Sequence, residues 1–332
     1  MLREKARQAT KGDRSVEANG DSRREAAKRP AIGLALGGGA ARGFAHIGII
    51  RTLVAHGIEP DVICGTSMGA VIGGFYAAGS LEDFADWAIA LTRRRVLTYL
   101  DVSLSGSGLI AGTRLARHLE ETLGSARIES LATRFAAVTT EIGTGHEVWL
   151  TRGRLLEAVR ASYALPGVFA PVRIGGRWLV DGALVNPVPV SAARALDARL
   201  VIGVNLNSDL VGRGATITSH GFDDSDLADP EPASNGNGWR GKIGIEKFLK
   251  RQFIGGKGRP SLPTVMIEAF NVMQDRITRA RLAGDPADVT ISPRLGSVAM
   301  FDFHRADESI KIGAATAEQS LDAIQEAILA LA

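Results

Sequence analysis

The chain has 332 residues, of which 45% are hydrophobic and 23% charged, a composition typical of a globular protein with one or two domains. Its net charge of +3 arises in residues 1–30, which carry nine basic and five acidic residues, so the charge gives no support for a nucleic-acid-binding surface on the fold. One cysteine, and no apolar run of about 20 residues, exclude a disulfide framework and a membrane-spanning helix.

Residues 1–29 are predicted to be a disordered basic tail, because they are rich in charge and poor in large apolar side chains. They contain no apolar segment of the kind that a secretory signal requires. The chain also lacks the Cys/His clusters that are typical of structural zinc sites. We therefore expect a cytoplasmic protein without metal or cofactor, in which residues 30–331 form a single domain.

The first half of this domain alternates short apolar runs with stretches of helical periodicity. In chain order, the pattern predicts a strand at 32–36, a glycine-rich turn at 37–43, a helix at 44–56, a strand at 62–65, and helices at 71–78, 81–98 and 113–123. A Ser/Gly-rich loop is predicted at 103–112, between the last two helices.

The second half continues in the same way. It predicts strands at 135–141, 147–151, 178–180, 200–205 and 289–292, and helices at 155–162, 190–196, 262–283 and 314–331. Strands that alternate with helices predict an α/β fold whose mostly parallel sheet is covered by helices on both faces.

Residues 207–262 interrupt the alternation and are predicted to form a flexible excursion, because 223–239 is rich in Asp, Pro, Ser, Asn and Gly. Within it, residues 245–253 place apolar side chains at helical spacing with cations between them. Such a segment is compatible with a membrane interface, a lid, or an ordinary surface helix docked on the core.

The most informative motif is Gly65-Thr-Ser67-Met-Gly69, which follows the apolar run at 62–64 and precedes a helical stretch. A serine on a sharp strand-to-helix turn projects its hydroxyl from the sheet, and the flanking glycines allow close approach. Ser67 is therefore the best candidate for a covalent nucleophile. The alternative is a glycine-rich turn whose hydroxyl caps a helix.

A second glycine-rich turn, Gly37-Gly38-Gly39-Ala40-Ala41-Arg42-Gly43, also lies between a predicted strand and a predicted helix. Its backbone amides and the positive helix end could converge on a developing oxyanion, and Arg42 could support the loop or pair with a lipid phosphate. A dinucleotide-binding turn is disfavoured, because that fingerprint needs an acid at the end of the second strand. Here Asp61 precedes that strand.

Asp181 is the candidate for the base, because a short apolar strand ends at Asp181-Gly182. A turn-forming Asp-Gly is the alternative interpretation. The order Ser, Asp, His of a hydrolase triad would admit His220 or His304. His220 lies in the excursion and His304 is interpreted as structural, as is His46 beside the glycine turn.

In this order, the glycine turn, the Gly-x-Ser-x-Gly turn and the late Asp-Gly resemble the three signatures of the patatin-like phospholipase family. The stretches 161–167, 186–189, 283–286 and 301–306 resemble its bacterial RssA-type branch, which is related to the catalytic domain of neuropathy target esterase. The resemblance covers residues 31–331 and implies a three-layer α/β/α sandwich. One departure is Ala40, where the family often has a fourth glycine.

The resemblance implies a serine acyl hydrolase in which Ser67 and Asp181 form a dyad without histidine. Residues 37–43 would then form the oxyanion loop, with the backbone amides around Gly38, Gly39 and Ala40 holding the oxyanion. Gly65 and Gly69 would form the nucleophile elbow, and the nearby apolar helices an acyl pocket. A lipid or acyl ester is the expected substrate, with peripheral membrane contact and no nucleic-acid partner. A regulatory or lipid-binding protein with little turnover, and an acyltransferase, stay open as alternatives.

Overall fold

The structure is a computed structural model that describes residues 29–99, 108–110, 112–209 and 262–332. The predicted tail up to residue 28, most of the 207–262 excursion, its segment at 245–253 and His220 lie outside the described residues. Arg29, which the prediction placed in the tail, forms a two-bond ion pair with Asp61 at 2.9 Å. Among the described helices, none combines the length and apolar character needed to cross a bilayer.

The described residues form ten strands and ten α-helices. The strands are β1 Ile32–Leu36, β2 Val62–Thr66, β3 Gly108–Ile110, β4 Arg134–Glu141, β5 Glu147–Leu150, β6 Gly167–Phe169, β7 Val172–Ile174, β8 Arg177–Asp181, β9 Leu200–Val204 and β10 Val289–Ile291. The helices are α1 Ala45–Ala55, α2 Met68–Ala77, α3 Leu81–Ile89, α4 Arg93–Tyr99, α5 Thr113–Leu123, α6 Leu155–Ser162, α7 Val190–Ala195, α8 Leu262–Gly284, α9 Ala306–Glu318 and α10 Leu321–Leu331.

Eight of these strands form one mixed sheet in the order β10-β9-β1-β2-β4-β8-β7, with β5 paired to β4. The strands from β10 to β4 are parallel, whereas β5, β8 and β7 pair in antiparallel fashion. Strands β3 and β6 form a separate parallel pair. The carboxyl ends of β1, β2 and β9 therefore meet at one edge of the sheet, where ligands of α/β folds commonly bind.

Both faces of the sheet are buried. Along β1, Ile32, Leu34 and Leu36 pack into one core with α1 and α2, whereas Ala35 packs into the other core with α7. This alternation follows from the two-residue period of a strand. It confirms the predicted α/β fold with a central sheet and flanking helices.

Four details differ from the sequence-based expectation. The helix predicted at 81–98 is two helices, α3 and α4, and the C-terminal helix is likewise divided into α9 and α10 around Gln319 and Ser320. Residues 108–110, expected in a loop, form β3, and strands β6 and β7 were missed. Each of these three strands has only three residues, which is too short for a visible period, and β3 pairs with a strand that is distant in the chain.

Helices α1 and α9 contact each other backbone to backbone, because each has a glycine at the crossing. A Cβ atom on Gly48 would overlap the carbonyl oxygen of Ile310, and one on Gly313 would overlap that of Ala45. Since α1 follows directly on the turn at 40–44, this crossing also holds the glycine loop in place.

We expect Gly48→Ala to lower the free energy of unfolding by about 1–3 kcal/mol, because the added methyl overpacks a backbone contact. Urea unfolding followed by circular dichroism measures the change. Gly284→Ala is the matched control, because a Cβ there meets no atom within 4 Å, and we expect a change within about 0.5 kcal/mol. Equal changes in both variants would contradict the close crossing.

Candidate active site

Ser67 stands on the sharp turn between β2 and α2, with φ 55° and ψ −121°. Positive φ is strained for a serine and is typical of functional turns. The turn needs both neighbouring glycines: a Cβ on Gly65 would overlap the backbone of Ala70, and one on Gly69 would overlap the carbonyl oxygen of Leu36. The strand, turn and helix predicted around Ser67 are therefore all present.

The register of the sheet brings Asp181 next to this turn. Strand β4 has two edges, and on one of them β5 pairs with both Val138 and Thr139. The residue of β2 that pairs with Val138 and the residue of β8 that pairs with Thr139 must therefore lie along the other edge. On that edge Val138 pairs with Thr66, the last residue of β2, and Thr139 pairs with Asp181, the last residue of β8. The two strands thus end against each other, and Ser67 and Asp181 meet.

The Ser67 hydroxyl donates a hydrogen bond of 2.7 Å to Oδ2 of Asp181. The other carboxylate oxygen accepts from the backbone amide of Ala183 at 2.8 Å. Asp181 is only 2% exposed, and this burial raises its pKa to about 7, although the hydrogen bonds from Ser67 and Ala183 oppose the rise. A carboxylate with raised proton affinity, hydrogen-bonded to a serine, has the properties of a general base.

A serine that the sequence interpretation missed supports the nucleophile from behind. The backbone amide of Ser67 donates to Oγ of Ser162 at 2.9 Å, and the Ser162 hydroxyl donates to the carbonyl oxygen of Val138 at 2.7 Å. Ser162 ends α6 and is fully buried. The amide of Ser67 is therefore engaged in holding the turn.

The glycine loop at 37–43 follows β1 and faces the same site. Four of its amides donate to backbone carbonyls at 3.0–3.1 Å: Gly37 to Val204, Gly38 to Pro187, Ala41 to Met300 and Arg42 to Gly39. The amides of Gly39 and Ala40 have no acceptor among the described residues. Both residues line the cleft beside Ser67, so the free donors of the loop are those of Gly39 and Ala40, while the Gly38 amide is engaged.

Ala40 has a φ of 47°, in the left-handed region that favours glycine. The alanine at this position therefore adopts a backbone conformation that is typical of glycine. Gly43 is required for another reason, because a Cβ there would overlap the side chain of Met68 at the start of α2.

Two buried side chains hold the loop from behind. Nε of Arg42 donates to the Gly39 carbonyl at 3.2 Å, and burial lowers the pKa of this guanidinium to about 10. Nε2 of His46 bonds to the Gly37 carbonyl at 2.8 Å, and burial lowers the pKa of this imidazole to about 4. His46 is therefore neutral and structural, and the 2% exposure of Arg42 favours loop support over contact with a phosphate.

The remaining candidates lie apart from the dyad. His304 accepts a hydrogen bond from Nε of Arg93 at 3.1 Å, and no histidine among the described residues is hydrogen-bonded to Ser67 or Asp181. Within the described ranges, no group of three or more His, Cys, Asp or Glu side chains has the arrangement of a metal site.

An apolar cleft opens beside the serine. Its walls include Met68, Phe84, Leu119, Phe270 and Phe301, which come from helices α2, α3, α5 and α8 and the segment before α9. Ser67, Asp181 and Gln274 also line the cleft. A mostly apolar cleft with a few convergent polar groups is the usual form of a small-ligand site.

Comparisons with known proteins give consistent matches. The patatin-like phospholipase family model matches residues 34–194, a range that includes both glycine motifs and Asp181. An uncharacterised NTE family protein of Mycobacterium tuberculosis (strain H37Rv) is 35% identical over 333 aligned positions, which cover 89% of this chain and 92% of the relative.

Two further matches are more partial. The lysophospholipase NTE1 of Yarrowia lipolytica is 36% identical over 186 positions, which are 54% of this chain and 13% of that much longer protein. The fold is similar to that of VipD from Legionella pneumophila, with a TM-score of 0.47 and 13% identity over 89% of this chain and 67% of the other.

Proposed function

The chain belongs to the NTE family of patatin-like phospholipases, and on that basis we propose that it is a serine acyl hydrolase of lipid esters. The hydrogen bond of 2.7 Å between Ser67 and the buried carboxylate of Asp181 is the observation on which the proposal rests. The apolar cleft beside Ser67 supports an acyl chain as the part of the substrate that is buried.

In the first step, Oγ of Ser67 attacks the ester carbonyl while Oδ2 of Asp181 takes the hydroxyl proton. The carbonyl oxygen becomes an oxyanion and accepts hydrogen bonds from the free amides of Gly39 and Ala40. When the tetrahedral intermediate collapses, the ester C–O bond breaks and the leaving alcohol takes the proton from Asp181. The acyl group is left on Ser67.

In the second step, a water molecule attacks the acyl-enzyme. Asp181 takes a proton from this water, and the same amides stabilise the second oxyanion. Collapse breaks the bond between Ser67 and the acyl carbon, and the proton returns to Oγ of Ser67. A free fatty acid is released, so one carboxylate serves as base and acid in both halves of the reaction.

The proposal predicts that the enzyme releases fatty acid from one or more of a panel of phospholipids, lysophospholipids and short-chain esters. A fluorophosphonate probe should label the same preparation, and prior labelling should remove the activity. A probe that labels no residue, together with no release from any substrate, would contradict the proposal. The lipid substrate also implies contact with a membrane surface, which stays a prediction.

The pH dependence tests the role of Asp181. Burial raises the pKa of this group to about 7, and only the ionised form can accept the serine proton. We therefore expect log kcat/KM to rise with a slope of about one per pH unit below pH 7 and to level off above it. Initial rates between pH 5 and 9 with an uncharged ester measure the profile, and a midpoint near pH 4 would contradict a buried base.

A further inference from the structure

Three successive carbonyls of the glycine loop each accept a hydrogen bond from a buried side chain. The Gly37 carbonyl bonds to His46 at 2.8 Å and the Gly39 carbonyl to Arg42 at 3.2 Å, and between them the Gly38 carbonyl accepts from Nδ2 of Asn207 at 3.1 Å. The first two side chains lie on the same segment as the loop, whereas Asn207 comes from a different part of the chain.

The direction of a carbonyl fixes the direction of the next amide, because a trans peptide is planar and its C=O and N–H point in opposite directions. Asn207, which holds the Gly38 carbonyl, therefore also sets the orientation of the Gly39 amide. That amide has no acceptor among the described residues and belongs to a residue that lines the cleft beside Ser67. Asn207 thus acts on a group that the proposed mechanism uses.

Asn207 is itself held in a fixed orientation. It lies three residues beyond β9 and is 4% exposed, and its backbone amide donates to the side-chain oxygen of Asn205 at 3.1 Å. Its Nδ2 also approaches Oε1 of Gln274, on α8, at 3.3 Å. Because the Gly38 carbonyl can only accept, the nitrogen of Asn207 must face it, and Gln274 must then present its oxygen to Asn207.

The orientation of the Asn207 side chain has a cost in folding free energy. The side-chain oxygen of Asn207 is buried and has no hydrogen-bond partner within the described part of the chain. A buried polar atom without a partner costs about 1–3 kcal/mol of folding free energy. An asparagine that is kept at this cost, with its nitrogen on the loop carbonyl, is better explained by what it does to the loop than by its own stability.

We propose that Asn207, held by Gln274, is a positioning residue that orients the Gly39 amide toward the oxyanion. The inference rests on the proposed acyl hydrolase function. Asn207 contacts neither the nucleophile nor the base, so its effect on the transition state is exerted through the Gly39 amide alone.

The test is Asn207→Asp, which keeps the size of the side chain but replaces the donor with an acceptor that repels the Gly38 carbonyl. We expect kcat to fall about 10- to 100-fold while KM changes less than about threefold, because the lost interaction is made mainly in the transition state. The rate of fluorophosphonate labelling should fall with kcat. The midpoint of the pH profile should stay where it is in Asn207→Ala, which leaves Asp181 in place and adds no charge near it.

Three further variants separate orientation from charge and from folding. Gln319→Glu makes the same change from amide to acid at an exposed position and should leave kcat unchanged. Asn207→Ala removes the donor without adding charge, and Gln274→Met removes the oxygen that holds Asn207. Both should lower kcat in the same direction, with rates expressed per folded molecule from the unfolding curve.

A fully active Asn207→Asp enzyme, a change confined to KM, or a loss explained by the folded fraction would overturn the inference. These outcomes leave the proposed function intact, provided that the wild type hydrolyses lipid esters and Ser67→Ala does not. The proposed function itself fails on the wild type, through absence of hydrolysis and of labelling, before any Asn207 variant is compared.

Discussion

Ser67→Ala is expected to reduce ester hydrolysis by at least about 10³-fold and to abolish labelling by a fluorophosphonate probe, because the proposed mechanism depends on the Ser67 hydroxyl as its nucleophile. In the proposed mechanism, the 2.7 Å hydrogen bond to Asp181 activates this hydroxyl, which lies beside the cleft on the turn at φ 55°. Alanine keeps the backbone and Cβ of serine, so the substitution removes only the nucleophilic oxygen.

Ser125→Ala is the matched control. Ser125 is exposed and far in sequence from both glycine motifs, so its removal should leave turnover and labelling unchanged. The unfolding curve of Ser125→Ala should coincide with that of the wild type to within about 0.5 kcal/mol, and the activity of Ser67→Ala is expressed per folded molecule from its own unfolding curve. Labelling that persists in Ser67→Ala would place the nucleophile at another residue and contradict the dyad.

The sequence predicted the parts of the site that depend on local pattern. A short apolar run followed by Gly-x-Ser-x-Gly is enough to predict the β2–turn–α2 unit, because the φ of Ser67 and the close contacts of Gly65 and Gly69 are all properties of that one turn. The glycine turn after β1 is local in the same sense. For these elements the sequence-based expectation and the structure agree.

The pairing of Ser67 with Asp181 is not a local property. The two residues are 114 positions apart, and they meet because β2 and β8 share an edge of β4 in one particular register. The pattern of the chain predicted an acid at the end of a strand but left a simple Asp-Gly turn open. From the sequence, only the resemblance to a family paired Ser67 with Asp181.

The roles of the supporting residues could not be predicted from the sequence, although Ser162 lies in the stretch 161–167 that carries part of the family resemblance. Ser162, Asn207 and Gln274 are single polar residues whose roles depend on partners in distant elements. The sequence could not show that the Gly38 amide is engaged either, because its acceptor is the carbonyl of Pro187 in another segment. The family resemblance named the amides around Gly38, Gly39 and Ala40 as the oxyanion donors, whereas the tertiary contacts were needed to see that the Gly38 amide is engaged.

Asp181→Asn is the second substitution with a large expected effect, and it should separate activity from stability. Asparagine has the same shape, can accept from the Ala183 amide, and can donate to Oγ of Ser67, so both hydrogen bonds persist with the second reversed. The serine then has no base, and we expect kcat/KM to fall by about 10²-fold or more. Fatty-acid release at pH 8 measures this loss.

The same substitution should not destabilise the fold at neutral or higher pH. Burial raises the pKa of Asp181 to about 7 in the folded protein, above the value of about 3.9 for an unfolded aspartate. The folded state therefore binds this proton more tightly than the unfolded state does. The stability that the bound proton contributes is lost as the pH rises from about 4 through 7. The wild type at pH 8 carries a buried charge that costs on the order of a few kcal/mol.

Asparagine resembles the protonated form and avoids this cost. The free energy of unfolding of Asp181→Asn should therefore exceed that of the wild type, by more at pH 8 than at pH 5. Urea unfolding of both proteins at the two pH values measures the difference. A variant that loses stability in step with activity would mean that the carboxylate holds the fold together. An inactive variant that is more stable at pH 8 would mean that burial of Asp181 is maintained for catalysis, at the expense of stability.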